Sequence, residues 1–448
     1  MPRRSPHDRE ILRLALPALG ALAAEPLYLL TDTAIVGHLG TPQLAALALA
    51  AALLSAVVAL CNFLTYATTA HVARLHGAGR EAEAGELAAQ ALWLSLGLGC
   101  ALAAACALFA GPLMTLLGGS GHVADLAARY LRLSALGLPS ALVALAGQGY
   151  LRGTSRLRAP LVILVVANAV NVVLELVFVY GLDMGLDGSA LGTVIAQLGM
   201  GAAFAVLLLQ ASGTAGVSRR PSRAGIRSLL GIGGAVFVRT ASLLGSFTVA
   251  SAVCARFGSA PLGAHQIAFQ LFVFLALVLD AIAIAGQVIV GRMLGASDGE
   301  GARAAAGRMI GWSLAVGCVF AVGLLALHDV LPRLFTGDDR VIDQAQVLWP
   351  LFALMQPAGA VVFALDGILI GAGDARYLAA AMAFAGLFVF VPISLAALHF
   401  DWGLAGVWWG LNALMAARLL TLGVRFRSGR WLVLGSQPRT SAKARQHA

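Results

Sequence analysis

Two stretches decide the fold: Gly185-Leu186-Asp187-Gly188-Ser189-Ala190-Leu191-Gly192 and Gly403-Leu404-Ala405-Gly406-Val407-Trp408-Trp409-Gly410. Their glycines recur at one constant displacement of 218 positions, and the same displacement holds outward from them. Gly40 meets Gly258, Arg74 meets Arg292, Gly77 meets Gly295 and Cys100 meets Cys318. Pro139 meets Pro357, and Gly153 meets Gly371. Apolar coincidences carry little weight in an Ala/Leu-rich chain, but Gly, Pro, Arg and Cys at one offset mark a tandem duplication. Weak internal symmetry in a hydrophobic chain is the mark of a secondary transporter.

Composition sets the environment. The 448 residues are 60% apolar and only 11% charged, with mean hydropathy +0.87; a soluble domain carries roughly 25% charged residues. Twelve apolar runs long enough to cross a hydrocarbon core lie near 11–37, 43–70, 84–110, 124–148, 159–181, 189–210, 228–255, 262–289, 302–327, 341–367, 377–398 and 403–424. Backbone polar groups in lipid must be satisfied within the segment, so these runs are helices. The expected fold is all-α and integral to the membrane, with two parallel six-helix repeats around a central cleft. The expected division is a first lobe at 1–210, a polar cytoplasmic linker at 211–224, a second lobe at 225–434 and a disordered basic tail at 435–448. Six spans per repeat is an even number, so both repeats insert in the same orientation, related by a pseudo-two-fold axis along the membrane normal.

The net charge of +9 is topological. With the N-terminus inside, Arg3, Arg4, Arg74, Arg80, Arg152, Arg156, Arg219, Arg220, Arg292, Arg303 and Arg308 fall on one side with the tail arginines. Asp183, Asp187, Asp338, Asp339 and Asp401 fall on the other. This positive-inside bias puts both termini in the cytoplasm and argues against a nucleic-acid partner. Arg3 and Arg4 before an apolar run resemble a signal peptide, but the run is too long and lacks a small-residue cleavage site. Cys61, Cys100, Cys106, Cys254 and Cys318 lie inside spans without a CxxC pair and read as small apolar residues. No Walker A loop, HExxH or GxGxxG is present, so ATP-driven and enzymatic readings find no support.

Carboxylates inside spans are costly and are functional candidates by default. Glu25, Tyr28 and Asp32 share one face of span 1, with Asp32 about one turn inside the Gly37–Gly40 loop. Pro17 and Pro26 lack a ladder N–H and are candidates for bending this span. Asn168, Asn171 and Glu175 share a face of span 5, and span 6 offers Thr193 and Gln197. Span 2 adds Asn62, Thr65, Tyr66 and Thr69. Such a set can carry a proton network or hold Na⁺, while helix–helix hydrogen bonding is the bland alternative, favoured for Asn168. The second half differs: Ala250 and Ile393 stand where Asp32 and Glu175 stand in the first. It offers Arg239, His265, Gln270, Asp280 and Asp366. Arg239 and Asp280 are candidate cleft residues or a buried ion pair, Gln270 is a further cleft candidate, and Asp366 is expected to organise a cytoplasmic helix end. Arg239 reads as the one clear intramembrane cation.

The stretch Glu25-Pro26-Leu27-Tyr28-Leu29-Leu30-Thr31-Asp32-Thr33-Ala34-Ile35-Val36-Gly37-His38-Leu39-Gly40 resembles span 1 of the multidrug and toxic compound extrusion (MATE) family, in its DNA-damage-inducible-F-like branch. Gln287–Ala296 and Asp366–Ala372 fit as well, and the resemblance covers nearly the whole chain. It implies that Asp32 is the cation-responsive group, that Asn171, Glu175 and Thr193 join it, and that Pro17 is linked to bending. The family's span-5 acid is commonly Asp; here it is Glu175, one methylene longer, which favours H⁺ over Na⁺ at Asp32, Asn171, Glu175 and Thr193. The glutamate of span 7 and the earlier aspartate of span 10 found in other branches are missing, which excludes a second-half cation site of that type.

The resulting expectation is a monomeric cation-coupled antiporter of the bacterial inner membrane, without cofactor or resident metal, exporting amphipathic cationic organic compounds. The rivals are a lipid-linked oligosaccharide flippase, which would want a cavity rich in Arg and Lys, and a membrane-embedded transferase, which would need clustered acids near the headgroups.

Overall fold

The computed structural model describes residues 6–436 except Ala215. Among the described residues, twelve helices are long and apolar enough to cross a membrane: α1 (His7–Gly37), α2 (Thr41–Gly77), α3 (Glu81–Leu108), α4 (Gly121–Gly153), α5 (Arg158–Gly181), α6 (Gly185–Gly213), α7 (Arg223–Phe257), α8 (Ser259–Gly295), α9 (Gly299–Ala326), α10 (Asp339–Gly371), α11 (Ala375–His399) and α12 (Gly403–Arg427). Several outrun the apolar pattern, as α8 does at both ends, because a helix continues past the point where its side chains turn polar. Irregularities have local causes. In α4, a 3₁₀ turn at Ala135–Gly137 precedes Pro139, whose ring cannot extend the hydrogen-bond ladder. In α5, the backbone widens into a π turn at Leu176–Gly181, immediately after Glu175.

The duplication is written in the backbone. Left-handed φ values recur in pairs 218 residues apart: Gly40 at 135° with Gly258 at 122°, Gly79 at 70° with Ser297 at 64°, and Ser155 at 60° with Gly373 at 70°. Asp183 at 52° pairs with Asp401 at 54°, and Gly185 at 56° with Gly403 at 61°. Close helix contacts recur too. A Cβ at Gly99 would stand 2.5 Å from Pro139 Cα, and one at Gly317 would stand 3.0 Å from Pro357 Cα. These pairs account for the Gly40–Gly258, Gly185–Gly403 and Pro139–Pro357 coincidences in the sequence.

By internal contact the chain forms two compact units: Gly20–Gly233, and the chain up to Leu19 together with everything from Gly234. The boundaries fall inside α1 and α7 rather than in the 211–224 segment, of which Ala211–Gly213 continue α6.

In the first unit the entry to α7 is tied down by α3. Gln90 Oε1 accepts from Ser222 N at 2.6 Å, Gln90 Nε2 donates to the Arg220 carbonyl at 3.0 Å, and Trp93 Nε1 donates to that of Arg219 at 2.7 Å.

In the second unit the N-terminal turn of α1 is held by α8 and α9. Asp8 accepts from Arg308 Nε at 2.6 Å, Arg308 Nη2 at 2.8 Å and Trp312 Nε1 at 2.9 Å, while Glu10 accepts from Arg292 at 2.5 Å. The central helix α10 buries Trp349, Phe352 and Leu348 completely. Gly435 N donates to the Leu294 carbonyl at 2.9 Å. Residues 437–448 of the expected tail, like Arg3 and Arg4, lie outside the described residues.

One expectation for this unit is corrected. Arg239 pairs with Asp366, whose Oδ2 also accepts from Arg418 Nη2 at 2.5 Å. Asp366, five residues before the Gly371 end of α10, is therefore the buried centre of an α7–α10–α12 ion cluster. Arg239 is not the sole intramembrane cation. Arg418, 3% exposed in α12, escaped notice because it sits among Met415, Leu419 and Leu420 late in a span, where an arginine reads as a flanking charge. The pairing is how two guanidinium groups are accommodated at this depth.

Candidate functional site: three helix faces around a carboxyl pair

Three helices of the first unit each contribute a pair of residues one turn apart: Tyr28 and Asp32 from α1, Asn171 and Glu175 from α5, Ser189 and Thr193 from α6. The i, i+4 spacing aims each pair at the same point. Gly192 makes the approach of α5 and α6 possible, since a Cβ there would stand 3.2 Å from both the Glu175 Cγ and its backbone N. All but Tyr28 are buried, Glu175 completely.

The hydrogen bonds form one network. Ser189 Oγ donates to Asp32 Oδ1 at 2.8 Å. Thr193 Oγ1 donates to Glu175 Oε1 at 3.3 Å and accepts from Asn171 Nδ2 at 3.3 Å. The Tyr28 hydroxyl lies 3.0 Å from Thr193 Oγ1. A threonine hydroxyl has one proton and two lone pairs. Its proton goes to Glu175, so Tyr28 is the donor in this last bond and Thr193 is fully satisfied. The Asp32 and Glu175 carboxyls lie close enough to interact with each other, and Tyr130 of α4 interacts with Ser189 and Ser134. Two buried acceptors, Glu175 Oε2 and Asn171 Oδ1, have no donor.

This network opens on a cavity of about 240 Å³ enclosed by α1, α2, α4, α5 and α6 of the same unit, with Glu25, Asn62, Tyr66, Asn168, Gln197, Gln148 and Arg152 among its lining. Glu25 is exposed into it. Asn168 also donates to the Ala24 carbonyl at 2.8 Å, the helix–helix role expected of it. Thr65 and Thr69 turn away to the Leu145 and Gly149 carbonyls and serve packing. Arg239, Gln270 and Asp280 belong to the other unit and do not line this cavity. Pro26 belongs to the first unit and Pro17 to the second, and α1 is helical through both. No cluster of three or more His, Cys, Asp or Glu suited to a metal ion occurs among the described residues.

Sequence reasoning missed Ser189, Tyr130 and Arg152 as members of the site. Ser189 stands one turn before Thr193, so its face was readable from spacing. Tyr130 lies between Arg129 and Arg132 and reads as loop-proximal. Arg152 was counted only as a cytoplasmic charge.

The MatE family model matches residues 17–177 and 235–395, two segments again 218 apart. DNA damage-inducible protein F of Escherichia coli is 31% identical over 443 residues, covering 95% of this chain and 94% of that protein. A probable multidrug resistance protein NorM of Xanthomonas campestris is 30% identical over 451 residues, covering 98% of each. Among solved structures, a MOP superfamily transporter from Pyrococcus furiosus superposes with a TM-score of 0.85 at 22% identity, covering 98% of this chain and 97% of that one. Members of the matched family are transporters, not enzymes. With its duplicated six-helix halves and its match to both repeats, this chain belongs to the MatE family of multidrug and toxic compound extrusion transporters.

Proposed function

We propose that this chain is a proton-coupled antiporter of the bacterial cytoplasmic membrane, with both termini inside, exporting amphipathic organic compounds that carry a basic group. The observation that carries the coupling reading is the Asp32–Glu175 pair. Two carboxyls facing each other away from bulk water are poorly served by two charges and well served by one shared proton. Glu175 Oε2, buried without a donor, is where such a proton fits. Na⁺ is the weaker reading: it wants several oxygens at about 2.4 Å, and both lone pairs of Thr193 are already taken by Asn171 and Tyr28.

Proton uptake from the outside-facing state removes an acceptor from the network. The turn of α1 bearing Tyr28 and Asp32 then loses part of what holds it to α6, and release to the inside restores it. Substrate and proton oppose one another by favouring different states of the same bundle. The substrate class rests on the acidic residues lining the cavity, Glu25 and Asp32, and on the multidrug-resistance name of a relative.

The test is efflux of a cationic dye from proteoliposomes under separate gradients. A pH gradient alone is expected to drive transport. Robust transport on a Na⁺ gradient with a protonophore present overturns the proton assignment.

A further inference from the structure

Four arginines stand close together where α6 gives way to α7: Arg219, Arg220, Arg223 and Arg227, all exposed. No acid occurs in the chain between Asp187 and Asp280. Elsewhere arginines near helix ends are met by acids, Arg80 by Glu83, Arg308 by Asp8 and Arg425 by Asp374. Among the described residues none of these four is in an ion pair. Of the acids that open α3, Glu81 is taken by His76 and Glu83 by Arg80, and Glu86, exposed one turn before Gln90, pairs with none of them.

A bias of positive charge towards the cytoplasm explains why arginines gather on this side. It does not explain why the backbone that carries them is fixed so firmly. Besides the Gln90 and Trp93 bonds, Ser212 Oγ at the end of α6 donates to the Gly85 carbonyl at 2.8 Å. At the start of α7, Ser228 Oγ lies 3.0 Å from His71 Nε2, and a Cβ at Gly225 would stand 2.6 Å from Gln90 Cγ. The end of α6 and the start of α7 are thus both fastened to α2 and α3, and the arginines project from a rigid frame.

The surface beside them is apolar. The Trp93 indole, held by the Arg219 carbonyl, is 46% exposed. Arg219 Nη2 donates to the Leu209 carbonyl at 3.0 Å, which lays its guanidinium along the stretch of α6 where Val206 and Leu209 are exposed. On α7, Arg223, Arg227 and Leu230 share one face by i, i+4 and i+7 spacing, and Leu230 is exposed. Basic groups therefore rim apolar surface on both flanking helices, with a tryptophan at the same level. An anionic headgroup carried on hydrocarbon chains is complementary to that combination.

We propose that the α6–α7 connection is a docking site for an anionic phospholipid of the cytoplasmic leaflet, its phosphate on Arg219, Arg220, Arg223 and Arg227 and its chains on Trp93, Leu209 and Leu230. A guanidinium grips phosphate by paired, charge-assisted hydrogen bonds, and four of them in one place favour a lipid with two phosphates over a lipid with one. The choice of leaflet rests on the orientation proposed above. Binding itself depends neither on that orientation nor on the coupling ion, so it can fail or succeed independently of both.

The experiment titrates the purified full-length protein, in neutral detergent, with cardiolipin, phosphatidylglycerol and phosphatidylcholine of matched chains, and reads the lipid-bound fraction by native mass spectrometry. Wild type is expected to hold the two-phosphate cardiolipin about tenfold more tightly than phosphatidylcholine, with phosphatidylglycerol between them. Changing Arg220→Gln, Arg223→Gln and Arg227→Gln together should weaken cardiolipin by about tenfold or more and leave phosphatidylcholine within about twofold. The same three positions changed to Lys should fall between. Arg303→Gln, Arg376→Gln and Arg427→Gln remove equal charge from the other unit and should leave cardiolipin within about twofold. Equal weakening by the two Gln triples would reduce the effect to general basicity and overturn the proposal, as would a wild type without preference for cardiolipin over phosphatidylcholine. Displacement of bound cardiolipin by an equal concentration of glycerol 1-phosphate would overturn it too, since the arginines would then take a free phosphate and not a lipid. Unfolding midpoints without added lipid separate loss of the contact from loss of the fold, and the Lys triple keeps the test open should the Gln triple fail to fold.

Discussion

Glu175 packs against Gly192 in the first half as Ile393 packs against Gly410 in the second. The Cβ that each glycine lacks would stand 3.2 Å from the Glu175 Cγ and 3.3 Å from the Ile393 Cγ2. One backbone slot thus holds an acid in one repeat and a hydrocarbon in the other. Alanine at either glycine should press on its neighbour by a few tenths of an ångström and destabilise the protein by about 1 kcal/mol. Gly192→Ala should also impair coupled export, whereas Gly410→Ala should not. Unfolding midpoints and proteoliposome efflux on the two variants check this, and equal loss of export in both would contradict it.

Asp32→Asn keeps the size of the side chain and removes its ability to exchange a proton. The Ser189 bond can be retained by the amide oxygen, so insertion and folding should be close to wild type. Coupled efflux should disappear. Wild-type export by this variant under a pH gradient would show that Asp32 is not the coupling group.

Asp366→Asn should be among the most damaging single changes. It leaves Arg239 and Arg418 facing a neutral amide at a site where Arg418 is 3% exposed. Breaking a buried ion cluster in this way costs about 3–5 kcal/mol. The readout is the yield of monodisperse protein and its unfolding midpoint; a midpoint within a degree or two of wild type would refute the structural reading of the cluster.

Gly99→Ala and Gly317→Ala test the repeat itself. The new methyl at position 99 would stand 2.5 Å from Pro139 Cα, and at position 317 it would stand 2.7 Å from Ala360 Cβ and 2.8 Å from the Gln356 carbonyl oxygen. Backbone cannot yield as a side chain does, so each should cost about 3 kcal/mol or more. The two midpoints should drop by similar amounts, because the contact is the same one made twice.

Twelve spans and their duplication were legible because both are carried by features that lipid and close packing enforce: long apolar runs, and glycines where helices touch. Asp32, Asn171, Glu175 and Thr193 were legible because a polar residue in a span has to be explained, and spacing shows which of them share a face. Their partners across helices were less so. Ser189 looks like any small residue in a Gly/Ala-rich span, and its role depends on which face of α6 meets α1. The Arg239–Asp366–Arg418 cluster joins residues 127 and 52 positions apart on three helices, and no periodicity within one helix predicts which arginine meets which aspartate. From the sequence Asp280 was the partner considered for Arg239, and Asp366 came into view only once α7, α10 and α12 were placed.

Asp32 faces Glu175 in the first copy, and the corresponding positions of the second are Ala250 and Ile393; Ser189 finds its counterpart in Val407. The turns and glycine contacts beneath them are nonetheless held in common, down to the left-handed residues that end the helices. The two copies therefore answer to different rules at different depths. A change in a shared backbone position disturbs a mould used twice, while a change in a polar side chain touches one copy alone. Grafting Asp, Glu and Ser onto positions 250, 393 and 407 would meet a backbone already cast to receive them, so the second half stands a few side chains, rather than a new fold, away from the chemistry of the first.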